Sequence, residues 1–318
     1  MSNALHEFPP VIKKRYSFYY TTMGKVIRDK YLLILLILPI LYYLVFMYGP
    51  MFGVIIAFKK FNAAKGFFGS PWVGLKYFEK FIDDPFFWQA VKNTLVLGFL
   101  SMLFGMPASI ILALSLNEIP NDIYKRFAQT TTYLPHFISV VVVAGMVVNF
   151  TSSGGLINRL IETLGGKRIQ FMSMTGWFPP VFVISEVWQT AGWGSILYLA
   201  SIAGINPELY EAAIADGAGR FRQMWYITLP CILPTISILL ILRIGRILRL
   251  SFQKVLLLYS PAVYETSDVI QTYVYRRGLL GAQFSYATAI GLFQSVVGLF
   301  LLILANMASK RLSETSLW

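Results

Sequence analysis

The residues best placed to do chemistry form one short segment, residues 206–219, which lies between two apolar runs. Asn206 and Pro207 are favoured at the N-cap and at the first position of a helix, and Glu208 suits the first turn, where the helix dipole attracts an anion. Gly217 is suited to end the helix. The pattern predicts a short helix whose small residues admit a second surface and whose acidic side chains can pair with cations there.

Two interpretations of this segment stay open from its residues alone. Tyr210, Ala213, Ile214 and Gly217 recur at i, i+3, i+4 and i+7 and so share one helix face, whereas Glu211 lies on another. The segment is either an ordinary connector at the membrane interface or a helix that docks on a partner.

Three arginines form a second candidate group. Arg243, Arg246 and Arg249 recur at i, i+3 and i+6 in an apolar run, so a continuous helix would place them on one face. An arginine at membrane depth costs about 2.5–3.5 kcal/mol even on insertion scales, so we expect the group to face a wet cavity or acidic partners. In the alternative arrangement Arg243 pairs with Glu186 and Arg249 extends to the interface.

Six apolar runs must position these residues. The chain has 318 residues, of which 56% are hydrophobic and 13% charged, whereas a soluble domain has about 25% charged residues. A helix needs about 20 apolar residues to cross a membrane. The runs without Asp, Glu, Lys or Arg are residues 31–58, 93–117, 127–158, 187–207, 223–242 and 278–309. A soluble protein with buried helices is the alternative, but it would have too little polar surface to cover these runs.

The sequence therefore predicts an all-α, polytopic membrane protein with six transmembrane helices. We expect these helices at about residues 31–50, 89–116, 127–150, 177–203, 230–250 and 284–308. The predicted divisions are a cytoplasmic N-terminal arm (1–30), a first transmembrane helix (31–58), an extracytoplasmic loop (59–88), a core of five transmembrane helices (89–309) containing segment 206–230, and a cytoplasmic tail (310–318). Basic residues before the first helix and in the short loops favour a cytoplasmic N-terminus.

Charge and cysteine content exclude several functions. The net charge of +12 lies in loops between apolar runs, which indicates topology and anionic lipid contact rather than nucleic-acid binding. The single cysteine, Cys231, excludes an internal disulfide. His6 and His136 are too far apart to form a local metal motif, so we expect no metal site.

The segment at 211–234 resembles the EAA signature of ATP-binding-cassette (ABC) importer permeases. The matching residues are Glu211-Ala212-Ala-X-X-Asp216-Gly217-Ala218, then Ile227, Leu229-Pro230 and Pro234. Trp225 stands where the family usually has an aromatic residue, often Phe. The resemblance implies the type I importer permease fold, in which this helix docks in a groove of a cytoplasmic ATPase.

The resemblance extends over about residues 70–310. It includes Gly74-Leu75-Lys-Tyr77-Phe78, Asp84-Pro85-Phe-Phe87-Trp88 and, at 258–276, a run that begins Leu258-Tyr259-Ser-Pro261. These stretches are most similar to carbohydrate-uptake permeases for polysaccharides, including alginate-type importers of bacterial inner membranes.

The resemblance also implies partners and contact residues. It implies a second homologous permease subunit, two ATPase subunits that carry ATP and Mg, an extracytoplasmic solute-binding protein and membrane lipid. No phosphate-binding loop motif occurs in the sequence, so the ATPase must be a separate subunit and this chain performs no catalysis. The implied ATPase-coupling residues are Glu211, Ala212, Ala213, Asp216, Gly217, Ala218 and Gly219.

A departure from the family pattern motivates a substrate hypothesis. Arginine is common at position 243, whereas Arg246 and Arg249 replace residues that are more often neutral and polar. Because guanidinium groups bind carboxylates bidentately, we expect an acidic, uronate-like saccharide. The predicted substrate-path residues are Arg243, Arg246, Arg249, Glu186, Trp188, Gln189, Trp193 and Asn149. The tryptophans could instead belong to interfacial belts.

Other transport functions stay as alternatives. One is an ABC permease for a peptide or a neutral sugar, against which the 258–276 segment argues. Another is an ion-coupled secondary transporter or a channel, but the sequence has no clear internal repeat of the kind that many such transporters show. A membrane-embedded sensor is a third.

Overall fold

A computed structural model describes residues 30–313, and the side chains of residues 31–310. The predicted arm at 1–30 therefore lies outside the described residues except for the backbone of Lys30, and so does the end of the predicted tail. The described chain is all-α, as predicted: helices make up most of it, and its only strand-like pairing is an isolated antiparallel bridge between Lys59 and Trp72.

The helices that build the bundle are α1 (Lys30–Tyr42), α2 (Lys76–Ile82), α3 (Pro85–Asn117), α4 (Asp122–Phe137), α5 (Val140–Thr151), α6 (Leu156–Thr163), α7 (Phe178–Ala203), α8 (Pro207–Ala215), α9 (Leu229–Gly245), α10 (Phe252–Leu258), α11 (Ile270–Val274) and α12 (Phe284–Ser313). Short α-helical turns occur at Gly49–Met51, Gly66–Gly69, Arg220–Gln223 and Tyr264–Ser267. π-Helical turns occur at Tyr43–Tyr48, Met224–Thr228 and Tyr275–Leu280, and 3-10 turns at Phe52–Phe58, Thr175–Trp177 and Pro261–Val263.

The first long helix stands apart from the rest of the bundle. Helix α1 continues through the turns at Tyr43–Tyr48 and Phe52–Phe58, and its side chains are exposed as far as Phe52. An apolar surface of this length requires cover by lipid or by another protein.

Close packing joins the other long helices. Helix α7 packs along α3 and α4, and α9 packs along α12. Gly192 of α7 lies so close to the backbone of α4 that an added Cβ would overlap the Thr132 carbonyl oxygen. Among the described residues, three apolar clusters fill the bundle; the one at the end near α8 contains Tyr198, Ile202 and Ile232.

Five helical stretches in the described residues are long and apolar enough to cross a membrane. They are Tyr31–Phe58, Pro85–Asn117, Val140–Thr163, Arg220–Gly245 and Phe284–Lys310. Helix α7 is more polar, but its 26 residues extend about 39 Å at 1.5 Å per residue. That length exceeds the ~30 Å hydrocarbon core, so the predicted number of six crossings depends on α7 and stays a prediction.

The third predicted span is broken, which the sequence analysis did not anticipate. We expected one helix over about residues 127–150, but α4 ends at Phe137 and α5 begins at Val140. Ile138 is extended, and the Ser139 hydroxyl accepts a hydrogen bond of 3.3 Å from the backbone N–H of Val142. Ser139 therefore caps a new helix where the hydropathy pattern indicated continuation.

The fifth predicted span is shorter than expected. We expected it to reach about residue 250, but α9 ends at Gly245. The C-cap, Arg246, has φ −107° and ψ 5°, and residues 246–248 form turns. The three arginines therefore do not share a continuous helix, and the prediction that they lie on one helix face was wrong.

Candidate coupling segment and substrate path

Helix α8 begins where its capping residues predicted. The Asn206 side chain accepts a hydrogen bond of 3.1 Å from the backbone N–H of Glu208, and Pro207 occupies the first turn. The bond to Asn206 pairs one backbone N–H of the first turn, and Pro207 has no N–H that would need a partner. The start of the helix is thus encoded in three adjacent residues.

The end of α8 is equally local. Gly217 has φ +73°, a left-handed conformation that glycine adopts without strain. The N–H of Ala218 donates to the Ala213 carbonyl at 2.8 Å, and the N–H of Gly217 donates to Ile214 at 2.9 Å. This pair of bonds is a Schellman-type cap. The Gln223 amide then donates to the Ala218 carbonyl at 2.7 Å and holds the turn that follows.

One side of α8 faces the bundle and the other is free. The Tyr210 hydroxyl lies 2.9 Å from the Thr228 hydroxyl near the start of α9, and Ala213 is half-buried. Ile214 was predicted to share the face of Tyr210, but its side chain is 63% exposed. Most of the predicted coupling residues are exposed: Glu211, Ala212, Asp216, Gly217 and Gly219, with Ala213 and Ala218 half-buried.

Helix α8 buries no residue of its own in the described chain. Exposed apolar side chains surround it, including Leu209, Phe221 and Trp225. Arg220 forms an exposed ion pair of 3.5 Å with Glu118, just after the end of α3. The segment is therefore a small, preformed helix with a free surface at one end of the bundle.

Helix α7 carries a polar face near its middle. Glu186, Gln189 and Trp193 recur at i, i+3 and i+7, which places them on one side of the helix. Glu186 accepts a hydrogen bond of 2.9 Å from the Lys254 ammonium, and Gln189 lies 3.3 Å from the same nitrogen. The structure thus brings two of the predicted path residues together with a cation that the sequence analysis missed.

Lys254 is fully buried, with 0% exposure of its side chain. It projects from α10 towards α7, and its ammonium lies 5.7 Å from the centre of the Phe182 ring. A buried lysine needs an anionic partner, because an unpaired charge in an apolar environment is costly. The available signal in the sequence was the single lysine within the apolar run Phe252–Leu258.

The arrangement at Glu186 contradicts the alternative in which Arg243 is its partner. Within the described residues Glu186 pairs with Lys254, and no ion pair joins it to Arg243. The guanidinium of Arg243 instead lies between α3 and α7, where Gly105 and Gly194 leave room for it. An added Cβ at Gly105 would be 3.3 Å from Arg243 Nη1.

The break between α4 and α5 contributes to the region around Glu186, Gln189 and Lys254, which we call the polar layer. The Gln189 amide donates to the Ile138 carbonyl at 3.3 Å, a carbonyl at the helix break. The His136 ring stacks on Trp193, with ring centres 4.6 Å apart and planes 5° apart. The sequence indicated for His136 only that it forms no local metal motif with His6, and its contact with Trp193 depends on the fold.

Two predicted path residues lie elsewhere. Trp188 is on the opposite side of α7 from Glu186 and lines an apolar groove between α5, α6 and α7. Asn149 is exposed on α5. The structure does not bring either residue into the polar layer around Glu186.

The other two arginines share a separate cavity. Arg246 and Arg249 are exposed and line a cavity of about 190 Å³ between the end of α9 and α12, together with Gln294 and Ser295. The Gln294 amide donates to the Leu248 carbonyl at 2.5 Å and so fixes the turn that carries both arginines. This cavity holds two positive charges and hydroxyl and amide groups, which is suitable chemistry for a carboxylate.

A polar network orders the chain at the end of the bundle away from α8. Arg276 donates two hydrogen bonds to Asp268, at 2.9 and 2.5 Å, and its guanidinium lies 4.5 Å from the centre of the Tyr264 ring. Burial acts to lower the pKa of the Arg276 guanidinium, but the bond with Asp268 raises that pKa above its ordinary value. These contacts join Tyr264, Asp268 and Arg276 across the segment.

No group of three or more His, Cys, Asp and Glu side chains in the described residues is arranged to hold a metal ion. Cys231 is exposed and unpaired.

Comparison with known proteins identifies the family. The family model described as "Binding-protein-dependent transport system inner membrane component" matches residues 105–314. Protein LplB of Bacillus subtilis (strain 168) is 48% identical over 297 residues, covering 93% of each chain. The polygalacturonan/rhamnogalacturonan transport system permease protein YteP of the same organism is 46% identical over 295 residues, covering 92% of each chain.

A solved structure matches the whole fold. The crystal structure of a bacterial ABC transporter involved in the import of the acidic polysaccharide alginate contains a chain that is 44% identical, with a TM-score of 0.85. The match covers 92% of this chain and 99% of that one. The same type of transporter has also been solved with an alginate pentasaccharide-bound periplasmic protein, and it matches with a TM-score of 0.84.

Proposed function

Because the chain belongs to the family of binding-protein-dependent transport system inner membrane components, we propose that it is the membrane-spanning permease subunit of an ATP-driven importer for acidic oligo- or polysaccharides. The family and the importer permease fold that the sequence predicted are confirmed. The chain is a transporter subunit and not an enzyme, like the permeases that it resembles.

The observation that carries the mechanism is the preformed, exposed helix α8. It has fixed ends, an exposed acidic residue at Glu211 and no buried residue of its own, so a partner surface can cover it without disturbing the bundle. We propose that this partner is one of two ATPase subunits, which hold ATP and Mg. When ATP closes the ATPases, α8 moves and carries the adjoining ends of α7 and α9.

The remaining partners follow from the same assembly. A second, homologous permease subunit would complete the pathway, and an extracytoplasmic solute-binding protein would deliver the saccharide. The alginate transporter has been solved in complex with a periplasmic protein that holds an alginate pentasaccharide. The chain would lie in a bacterial inner membrane with α8 and both termini on the cytoplasmic side. The end of the bundle away from α8 would then face the binding protein.

The acidic substrate is supported by two kinds of observation. One relative is named for polygalacturonan and one solved transporter is involved in the import of alginate, and both polymers are built from uronates. In this chain the cavity that holds Arg246 and Arg249 is cationic, and Lys254 offsets the charge of Glu186 in the polar layer. Such a path would favour carboxylated sugars over neutral ones.

One experiment tests the coupling role. The chain is expressed with its partner permease and ATPase, and the ATPase that copurifies is measured for wild type, Glu211→Lys and Glu79→Lys. Glu79 is exposed on α2, at the end of the bundle away from α8, so its reversal is a matched control for charge. We expect Glu211→Lys to lose most of the ATPase and Glu79→Lys to retain it. Equal retention by both variants would exclude Glu211 as a contact to the ATPase.

A second experiment tests the acidic substrate. Uptake of a labelled uronate oligosaccharide is compared with uptake of its carboxyl-reduced form, for wild type and for Arg246→Gln with Arg249→Gln. We expect the double variant to lose uptake of the acidic form selectively. If acidic uptake is unchanged, these arginines do not select the cargo. Uptake that follows an ion gradient and ignores ATP would instead favour a secondary transporter.

A further inference from the structure

A second polar cavity lies at the end of the bundle away from α8. It is bounded by the first turns of α3, by Pro179 at the start of α7 and by residues 265–266, and we call it the outer cavity. Its volume is about 640 Å³, within the range of about 300–1,000 Å³ that is usual for small-molecule sites. The residues that line it are Trp88, Gln89, Lys92, Asn93, Val96, Pro179, Glu265 and Thr266.

The walls of the outer cavity are fixed by hydrogen bonds. The Asn93 amide donates to the carbonyls of Glu265 and Asp268, both at 3.0 Å, and the Gln89 amide donates to the Glu265 carbonyl at 3.0 Å. The Trp88 indole N–H donates to the Ile82 carbonyl at 2.7 Å. These bonds use the side-chain N–H donors of Trp88, Gln89 and Asn93. The Lys92 ammonium, the Glu265 carboxylate and the face of the Trp88 ring are not used by them.

The side chains of Lys92, Glu265 and Trp88 have the chemistry that recognises a charged sugar. Neither the Lys92 ammonium nor the Glu265 carboxylate forms an ion pair in the described part of the chain. The Trp88 side chain is 49% exposed, so its ring offers a face on which a pyranose can stack. A carboxylate accepts hydrogen bonds from sugar hydroxyls, and an ammonium pairs with a sugar carboxylate.

The outer cavity is aligned with the polar layer deeper in the bundle. Pro179 and Glu186 are seven residues apart on α7, which places them on the same side of the helix about two turns from each other. A saccharide that leaves the outer cavity along this side of α7 therefore meets Glu186 and Lys254 next.

We propose that the outer cavity is a saccharide subsite, in which Lys92 pairs with the carboxylate of an acidic sugar residue while Trp88 stacks on its ring and Glu265 accepts hydrogen bonds from its hydroxyl groups. The proposal rests on the proposed function and adds a named entry subsite to it. Lys92 would be a specificity residue, because a neutral sugar gives it no carboxylate.

Direct binding tests the proposal. The assembled transporter, with its partner permease and ATPases, is placed in nanodiscs without binding protein. Two labelled probes are titrated by fluorescence polarisation: a galacturonate tetrasaccharide and its carboxyl-reduced counterpart. Lys92→Gln is compared with wild type, and Lys76→Gln, an exposed lysine on nearby α2 outside the cavity, is the matched control. Trp88→Leu is measured as a second variant.

We expect Lys92→Gln to weaken binding of the acidic probe by about tenfold, the usual effect of losing one charge-assisted contact, and to leave the neutral probe unchanged. Trp88→Leu should weaken both probes, and Lys76→Gln neither. Because the Lys92 side chain is exposed, the variant is expected to fold normally.

Several outcomes would overturn the subsite. The first is that Lys92→Gln binds the acidic probe as tightly as wild type does, or loses affinity for both probes equally. The second is that wild type binds neither probe measurably. The third is that Lys92→Gln keeps its affinity for both probes and loses only the stimulation of ATP hydrolysis by the binding protein, which would make the cavity a protein-docking surface. Uptake by wild-type cells is measured in parallel. If the cells import the acidic saccharide, such a failure concerns the subsite alone, and if they do not, the proposed function fails.

Discussion

The C-terminal end of α7 and its middle are held by different kinds of interaction. At its C-terminal end, α8 is shaped by bonds between residues two to five positions apart, and it buries no residue of its own. At its middle, the polar layer joins residues 51 to 68 positions apart, and one member, Lys254, is fully buried. A partner can therefore cover α8 without repacking the bundle, whereas the polar layer at the middle of α7 stabilises the bundle itself.

Breaking the ion pair of Lys254 should have the largest effect. Lys254→Met leaves Glu186 without its cation, and removing one partner of a buried pair costs about 3 kcal/mol or more. We expect a clearly lower thermal unfolding midpoint for the purified transporter. The double variant Lys254→Met with Glu186→Gln should recover most of the loss, since it leaves no unpaired charge. A double variant as unstable as the single one would contradict this assignment.

Crowding α7 against α4 should have the next largest effect. Gly192→Ala adds a Cβ that overlaps the Thr132 carbonyl oxygen, and overpacking of this kind costs about 1–3 kcal/mol. Gly145→Ala is the matched control, because it lies in α5 with no atom within 4 Å of its added Cβ. The unfolding midpoint should fall for Gly192→Ala only, and equal midpoints would show that α4 moves aside readily.

A smaller effect is expected at the end of α8. Gly217→Ala places a Cβ at φ +73°, which costs about 1 kcal/mol, whereas Gly219 has φ −69° and accepts alanine without strain. Gly217→Ala should reduce ATPase copurification while the unfolding midpoint stays near that of wild type. If the unfolding midpoint fell and the ATPase still copurified, the end of α8 would contribute to the stability of the bundle and not to the contact with the ATPase.

The smallest effect is expected at Arg220. Its ion pair with Glu118 is exposed, with side-chain exposures of 74% and 44%, and such pairs contribute about 0–1 kcal/mol. Arg220→Gln should leave both the unfolding midpoint and its salt dependence almost unchanged. A large drop would mean that this contact fixes the position of α8 in the assembly.

The same contrast explains what could be predicted from the sequence. The boundaries of α8 were predictable because Asn206, Pro207 and Gly217 act through backbone groups close to them. The pairing of Glu186 with Lys254 was not predictable, because it depends on how α10 folds back after α9 ends. Six apolar runs predicted the helical class, but hydropathy could not detect the break at Ile138, since both flanking helices continue the same run of uncharged residues.

The hydrogen bond between Tyr210 and Thr228 has a mechanical consequence. Within the described residues, this 2.9 Å contact is the side-chain hydrogen bond between α8 and the residues that lead into α9. The backbone connection between the two helices is itself held, by the cap at Gly217 and by the bond from Gln223 to the Ala218 carbonyl. A displacement of α8 would thus reach α9 by two routes, the capped turn and the hydroxyl pair. Tyr210→Phe would remove the second route, so that less cargo would cross the membrane for each ATP hydrolysed.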